Sequence, residues 1–167
     1  MNLSSRQVEQ VYGIDIHLTR NNFAESNRGI DMIILNKTFF FNAAHQYGNP
    51  DMSEDENQAV FGKDLRVHGH NYELTVSIAG DVDPRTGFIA DLGHVKDVVN
   101  THVVDIVDHS LIEKDIPWFQ GKQPSTENMV VWIWESIEKH LESCKLHRIR
   151  LRETPTIYTD YYGPGEH

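Results

Sequence analysis

From Met32 onward, apolar and polar residues take turns along the chain. Ile33, Leu35, Phe39, Phe41 and Ala43 occupy one parity of "MIILNKTFFFNAAH", and a period of two predicts a strand with one buried face. His45 shares that parity, so a strand running this far aims it to the side that carries the phenylalanines. A second alternating stretch, "HGHNYELTVSIAG", places Tyr72, Leu74, Val76 and Ile78 on one face and Glu73, Thr75 and Ser77 on the other. His68 and His70 fall with the apolar set. The segment between them, "QYGNPDMSEDENQAVFGKD" (46–64), is polar and rich in Gly, Pro and acidic residues. It reads as a long excursion, and loops of this length in compact domains are functional or disordered.

The period then changes. "DVDPRTGF" supplies turn chemistry through Pro84 and Gly87. Asp91 is placed to cap a helix in which Leu92, Val95, Val99, Val103 and Ile106 recur at helical spacing. "STENMVVWIWESIEKHL" predicts a second helix, opened by Ser125 or Thr126 with Glu127 in its first turn. Two short alternating strands, "KLHRIRLRE" and "TIYTDYY", close the chain around Pro155. The order β-β-α-α-β-β predicts an α+β fold: an antiparallel sheet with two helices packed on one face. Residues 1–30 show no sustained period and are read as an N-terminal extension, with 31–167 as a single domain.

Composition narrows the function. With 167 residues, 39% hydrophobic and 24% charged, the chain suits one globular domain. Fifteen basic against twenty-five acidic residues give a net charge of −10, which repels nucleic acid and anionic membranes; no Lys/Arg cluster is interleaved with aromatics. No apolar run reaches membrane-spanning length and the N-terminus lacks a signal-like apolar core, so a cytoplasmic location is expected. The single Cys144 permits no internal disulfide and agrees with a reducing compartment. Ten histidines are many for this length, and imidazole is the commonest metal ligand.

Histidines at i and i+2 on a strand project to one side, close enough to hold one ion, and His45 can join them from the neighbouring strand. Three imidazoles leave a fourth tetrahedral position open, as in catalytic rather than structural zinc sites. The spacing alone equally allows an incidental H-x-H with each ring hydrogen-bonded at an edge. Asp108 and His109 follow the first helix; a carboxylate can orient an imidazole and raise its basicity, although the bare pair reads first as a surface helix end. Glu153 ends the apolar face made by Ile149 and Leu151, opposite the Arg148, Arg150 and Arg152 face. A carboxylate there needs a partner, either internal or a ligand with adjacent N–H donors such as an amino-pyrimidinone edge. Cys144 reads as a packing thiol, and Trp132 and Trp134 as core or interface aromatics.

Five motifs stand in one order: "FNAAH", "HGHNY", "DH" after the first helix, "STEN" opening the second, and "ET" on the third strand. Together they resemble the 6-pyruvoyl-tetrahydropterin synthase and 6-carboxytetrahydropterin synthase family over roughly residues 32–162. The resemblance implies the tunnelling fold (T-fold), with trimers that stack into homohexamers and active sites at subunit interfaces. It implies a zinc-dependent lyase acting on the side chain of 7,8-dihydroneopterin triphosphate, in biopterin, folate or queuosine precursor synthesis. His45, His68 and His70 would be the Zn²⁺ ligands, Asp108 and His109 the catalytic pair, and Glu153 the anchor of the pterin ring, with Thr126 and Glu127 near the same pocket. Asp108, His109 and Glu153 would serve a pocket shared with another chain.

One position departs from that pattern. The family reads "FGKC" where this chain reads "FGKD", so Asp64 stands in place of the cysteine that acts as general base. A thiol titrates near 8.5 and a carboxylate near 3.9 in model peptides, so the replacement is a weaker base. In the family, a carboxylate there goes with side-chain cleavage to 6-hydroxymethyl-dihydropterin, usually from Glu; Asp is one methylene shorter. The alternative is a metal- and pterin-binding paralogue without catalysis.

Overall fold

The computed structural model describes residues 16–19, 32–142 and 144–165. Strands β1 (Ile16–Thr19), β2 (Met32–His45), β3 (His68–Ala79), β4 (Lys145–Thr154) and β5 (Ile157–Tyr161) form one antiparallel sheet in chain order. Four residues of the stretch read as an extension thus pair with the edge of β2; the rest of residues 1–30 lies outside the described residues. The alternation seen in the sequence is the burial pattern of the sheet. Phe39, Phe41, Tyr72, Leu74, Val76, Ile78, Ile149 and Leu151 all face the core, and the α+β architecture with helices on one face is as expected.

Five helical segments join the strands: α1 (Glu54–Phe61), α2 (Leu92–Val99), α3 (Asp105–Val107), α4 (Ile112–Asp115) and α5 (Thr126–Ile137). Asp91 caps α2 by accepting from the Gly93 and His94 amides, and Ser125 caps α5 by accepting from Asn128. Met129, Val130, Trp132, Ile133, Trp134 and Ile137 of α5 are buried against the sheet, so both tryptophans are core residues. A π turn over Asn100–Val104 separates α2 from α3, the Asp105 amide reaching back to the Asn100 carbonyl. Its extra residue delays the next inward position by one. Val107 therefore follows Val103 into the core, and Ile106, expected on the apolar face, is exposed.

Helix α1 lies within the segment read as a loop. None of its residues is buried, so it carries no apolar period; it forms because Ser53 and Glu56 close a capping box, each side chain bonding the other's backbone N–H.

The opposite face of the sheet is polar and tightly paired. Thr38 and Thr75 hydroxyls bond at 3.2 Å, and Arg148 donates to Ser77 at 3.3 Å. Arg150 grips Asp160 with two bonds of 2.8 and 2.6 Å while its guanidinium lies 4.2 Å from the Tyr158 ring centre. The Arg150 bond holds the Asp160 carboxyl below the ordinary range, and both side chains are less than a third exposed, 28% and 21%. Asp160→Asn should cost about 1–2 kcal/mol near neutral pH. Because the folded-state pKa is lowered, that contribution is complete above about pH 4 and disappears as pH falls through the lowered value. Denaturant midpoints of the two proteins should therefore differ at pH 7 and converge in acid; a constant gap would exclude the ion pair as its source.

Candidate metal centre and active site

The antiparallel register of β2 and β3 pairs His45 directly with His68, and Ala43 with His70. The ring centres of His45 and His68 stand 4.4 Å apart, and His70 lies 5.1 and 5.2 Å from them. One nitrogen from each ring can be chosen so that all three lie within 4.8 Å of one another. Backbone carbonyls orient two of the rings. His45 Nδ1 donates to the Pro124 carbonyl at 3.0 Å and His68 Nδ1 to that of Arg66 at 2.8 Å, because a carbonyl can only accept. Both Nε2 lone pairs are thereby freed toward the cluster, as in metal-binding imidazoles whose other ring nitrogen donates to a carbonyl. His45 Nε2 is buried and has no hydrogen-bond partner, which is costly without a ligand. Burial also pushes His70 below the usual imidazole range, against the pull of Glu153, favouring the neutral form that ligates. The three residues fit a metal ion.

Two carboxylates flank the triad. Beyond the Glu73–Arg152 pair of the β3–β4 ladder, Glu153 comes up beside Tyr72, whose hydroxyl donates to Oε1 at 3.4 Å. The same Oε1 is 3.7 Å from His45 Nε2 and 3.5 Å from His70 Nε2. Glu153 therefore meets the histidines of its own chain. Asp64 lies in the 3₁₀ turn Gly62–Leu65, with Oδ1 3.8 Å from His68 Nε2 and its side chain 60% exposed.

The excursion that carries Asp64 is ordered by side-chain bonds to backbone. Gln46 Nε2 donates to the Leu65 carbonyl at 2.7 Å, and the Tyr47 amide to the Asp64 carbonyl at 3.0 Å. Asn57 bonds Asn49 both ways and also reaches the Met52 carbonyl. Gln123, just before Pro124, holds both the amide and the carbonyl of Gly48. One short segment thus fixes the orientation of His45 and the closure of the loop together.

Tyr47 enters the site without a motif to announce it. Its ring lies 5.0 Å from that of His45 and stacks on Phe61 at 6.0 Å with planes 5° apart. Burial first, then the charges of Glu153, Glu127 and Asp64, raise the phenol well above its usual range, so it stays protonated as a donor. Alternation ends at His45, so no local period singles out Tyr47, Gln123 or Pro124. Thr126 is buried at the start of α5, bonding Thr159 at 2.8 Å and donating to Glu127 at 3.4 Å.

His109 Nδ1 lies 3.0 Å from Asp108 Oδ2. The segment docks on β2: Asp108 accepts from the Asn42 amide at 2.8 Å, and the Ala44 amide donates to Ser110 at 2.8 Å. The Asn42 bond keeps the Asp108 carboxyl below the ordinary range. His109 has φ +62°, a left-handed backbone unusual for a non-glycine residue, and its side chain is 78% exposed. It lines a cavity of about 290 Å³ with His70 but, among the described residues, touches none of the three histidines. Cys144 packs partly buried against the core, and burial raises its thiol.

An imidazole triad beside an inward carboxylate, on an antiparallel sheet backed by helices, forms a pocket that could hold a metal ion. The family described as 6-pyruvoyl tetrahydropterin synthase matches residues 34–164, and the chain belongs to it; it is a lyase of that family acting on a pterin side chain. The 6-pyruvoyl tetrahydrobiopterin synthase of Drosophila melanogaster is 34% identical over 127 residues, 74% of this chain and 76% of that one. The 6-carboxy-5,6,7,8-tetrahydropterin synthase of Haemophilus influenzae is 27% identical over 150 residues, covering 78% and 99%. The solved 6-pyruvoyl tetrahydropterin synthase of Caenorhabditis elegans superposes with TM-score 0.75 at 30% identity, over 81% of this chain and 98% of that one. Among the described residues, no helix is long and apolar enough to cross a membrane.

Metal should stabilise the fold by mass action, by about 2.7 kcal/mol when free ion is a hundredfold above its dissociation constant. Chelated protein is expected to melt below the loaded form, and His45→Ala should abolish the difference. An undiminished metal-dependent shift in the variant would remove His45 from the site.

Proposed function

We propose that the chain is a zinc-dependent lyase acting on the side chain of 7,8-dihydroneopterin triphosphate. The observation that carries the reading is the convergence of three ligand nitrogens within 4.8 Å beside the Oε1 of Glu153. His45, His68 and His70 would hold Zn²⁺, which would supply Lewis acidity at the hydroxyls of the substrate side chain. Glu153 accepts two adjacent N–H donors of the pterin ring, and Thr126 and Glu127 border the same pocket. Tyr47, with its ring 5.0 Å from that of His45, stays protonated under the charges of Glu153, Glu127 and Asp64 and donates from that side.

Asp64 stands on the solvent side of His68 and takes the proton from the C2′ hydroxyl of the side chain, so that the C1′–C2′ bond breaks, C1′ is reprotonated and a two-carbon aldehyde carrying the triphosphate leaves. Its exposure, and the family's behaviour with a carboxylate in this position, favour cleavage to 6-hydroxymethyl-dihydropterin over the pyruvoyl or carboxy product. Lys63 and Arg66 flank Asp64 in sequence and are available to the triphosphate. The Asp108–His109 pair assists as acid or base. Its exposure suits a pocket completed by a second copy of the chain, in a homotrimer or homohexamer located in the cytoplasm.

The deciding experiment incubates the purified protein with zinc and dihydroneopterin triphosphate and identifies the pterins by mass. The expected product is 6-hydroxymethyl-dihydropterin. Asp64→Asn should lower turnover by about 10²–10⁴-fold, the range of a lost general base, while Asp64→Cys should redirect the reaction toward a pyruvoyl or carboxy product. No turnover above a chelated control would refute the reading.

A further inference from the structure

We propose that Gln123 is a positioning residue for Asp64, a role that rests on the reading above of Asp64 as the base. Its side chain clasps shut the excursion between β2 and β3 and so fixes where the carboxylate stands. A general base acts when its heavy atom lies within about 2.6–3.2 Å of the group that gives up the proton, and a misplacement of about 1 Å costs about 10²-fold in rate. Burial does not supply that precision here. No residue from 46 to 67 is buried, and the Asp64 side chain is 60% exposed. Hydrogen bonds must hold the loop instead.

Those bonds converge on the first residues beyond β2. The Asp64 carbonyl accepts from the Tyr47 amide at 3.0 Å, and the Leu65 carbonyl from Gln46 Nε2 at 2.7 Å. The Asn57 bonds to Asn49 and Met52 lie inside the loop and do not tie it to the rest of the fold. Gln123 supplies that tie. Its Nε2 donates to the Gly48 carbonyl at 2.8 Å, and its Oε1 accepts from the Gly48 amide at 3.3 Å. Such a pairing needs a donor and an acceptor on one planar group, which an amide side chain has and an ionised carboxylate lacks. Behind the clasp, Asn128 Nδ2 donates to the Gln123 carbonyl at 2.8 Å and Ser125 caps α5, so the backbone of 123–125 is held without the Gln123 side chain. The Pro124 carbonyl and His45 therefore stay in place when that side chain is cut back. At this residue the position of the base separates from the binding of the ion.

The test compares the zinc-loaded full-length protein with Gln123→Ala and with Gln123→Glu, which keeps the shape but cannot donate to the Gly48 carbonyl at neutral pH. Turnover of dihydroneopterin triphosphate should fall about 10–100-fold in both, with zinc affinity equal to the parent's. In an Asp64→Asn background the Gln123→Ala change should leave the residual rate as it is, the non-additivity of residues that act through one another. Hydrogen exchange gives a readout independent of activity. The Tyr47 amide, bonded to the Asp64 carbonyl, should exchange faster in Gln123→Ala, while amides of the central strand β3 keep their protection. Equal turnover in parent and variants, an undiminished fall in the Asp64→Asn background, unchanged Tyr47 exchange, or zinc affinity lost in step with turnover would each overturn the role of Gln123 and leave the zinc–pterin reading standing. A parent without turnover removes both. Should Gln123→Ala fail to fold, Gln123→Asn, one methylene short of Gly48, takes its place.

Discussion

The site depends on the hydrogen-bonded register between β2 and β3. Because side chains alternate along a strand, a slip of one residue would send every inward residue of β2 to the polar face. The register that stacks Phe41 on Tyr72, ring centres 5.0 Å apart, also sets His45 opposite His68 and brings His70 alongside. Core packing therefore positions the imidazoles. Gly69, between the two β3 histidines, is part of this arrangement: a Cβ there would lie 2.9 Å from the Ala43 carbonyl, too close for the strands to keep their spacing.

Around that ladder the electrostatics favour a cation. The imidazoles meet the carboxylates of Glu153 and Asp64, and the two nearest phenols, Tyr47 and Tyr72, are driven by burial and by Glu153 to remain protonated. A bound divalent ion would be the largest local charge and would compensate the carboxylates. The field of the whole chain, at −10, has the same sign and gives an anion no long-range steering toward the site.

The excursion between β2 and β3 supplies what the sheet cannot. Its contacts are mostly side chain to backbone, and its helix has no buried face, so it is held by closure at Gln123, Asn57 and Gln46 rather than by a core. Such a segment can change residues at low cost to stability. The position that departs from the family pattern, Asp64, lies on this segment, whereas the histidines lie on the strands.

The strand parities, the Asp91 and Ser125 caps, the buried tryptophans, the inward Glu153 and the face shared by His45, His68 and His70 could all be read in the sequence, because each follows from a local period or cap. Helix α1 was hidden by its lack of apolar period despite the Ser53 and Glu56 signature, and the π turn after α2 moved Ile106 outward in favour of Val107. Tertiary structure alone decided the tautomers set by Pro124 and Arg66, the entry of Tyr47, and the contact of Glu153 with the histidines of its own chain. The contacts of His45 with Pro124 and of Glu153 with His45 and His70 join residues dozens of positions apart through a particular closure of loops, and one-dimensional spacing carries no record of which loop closes on which strand.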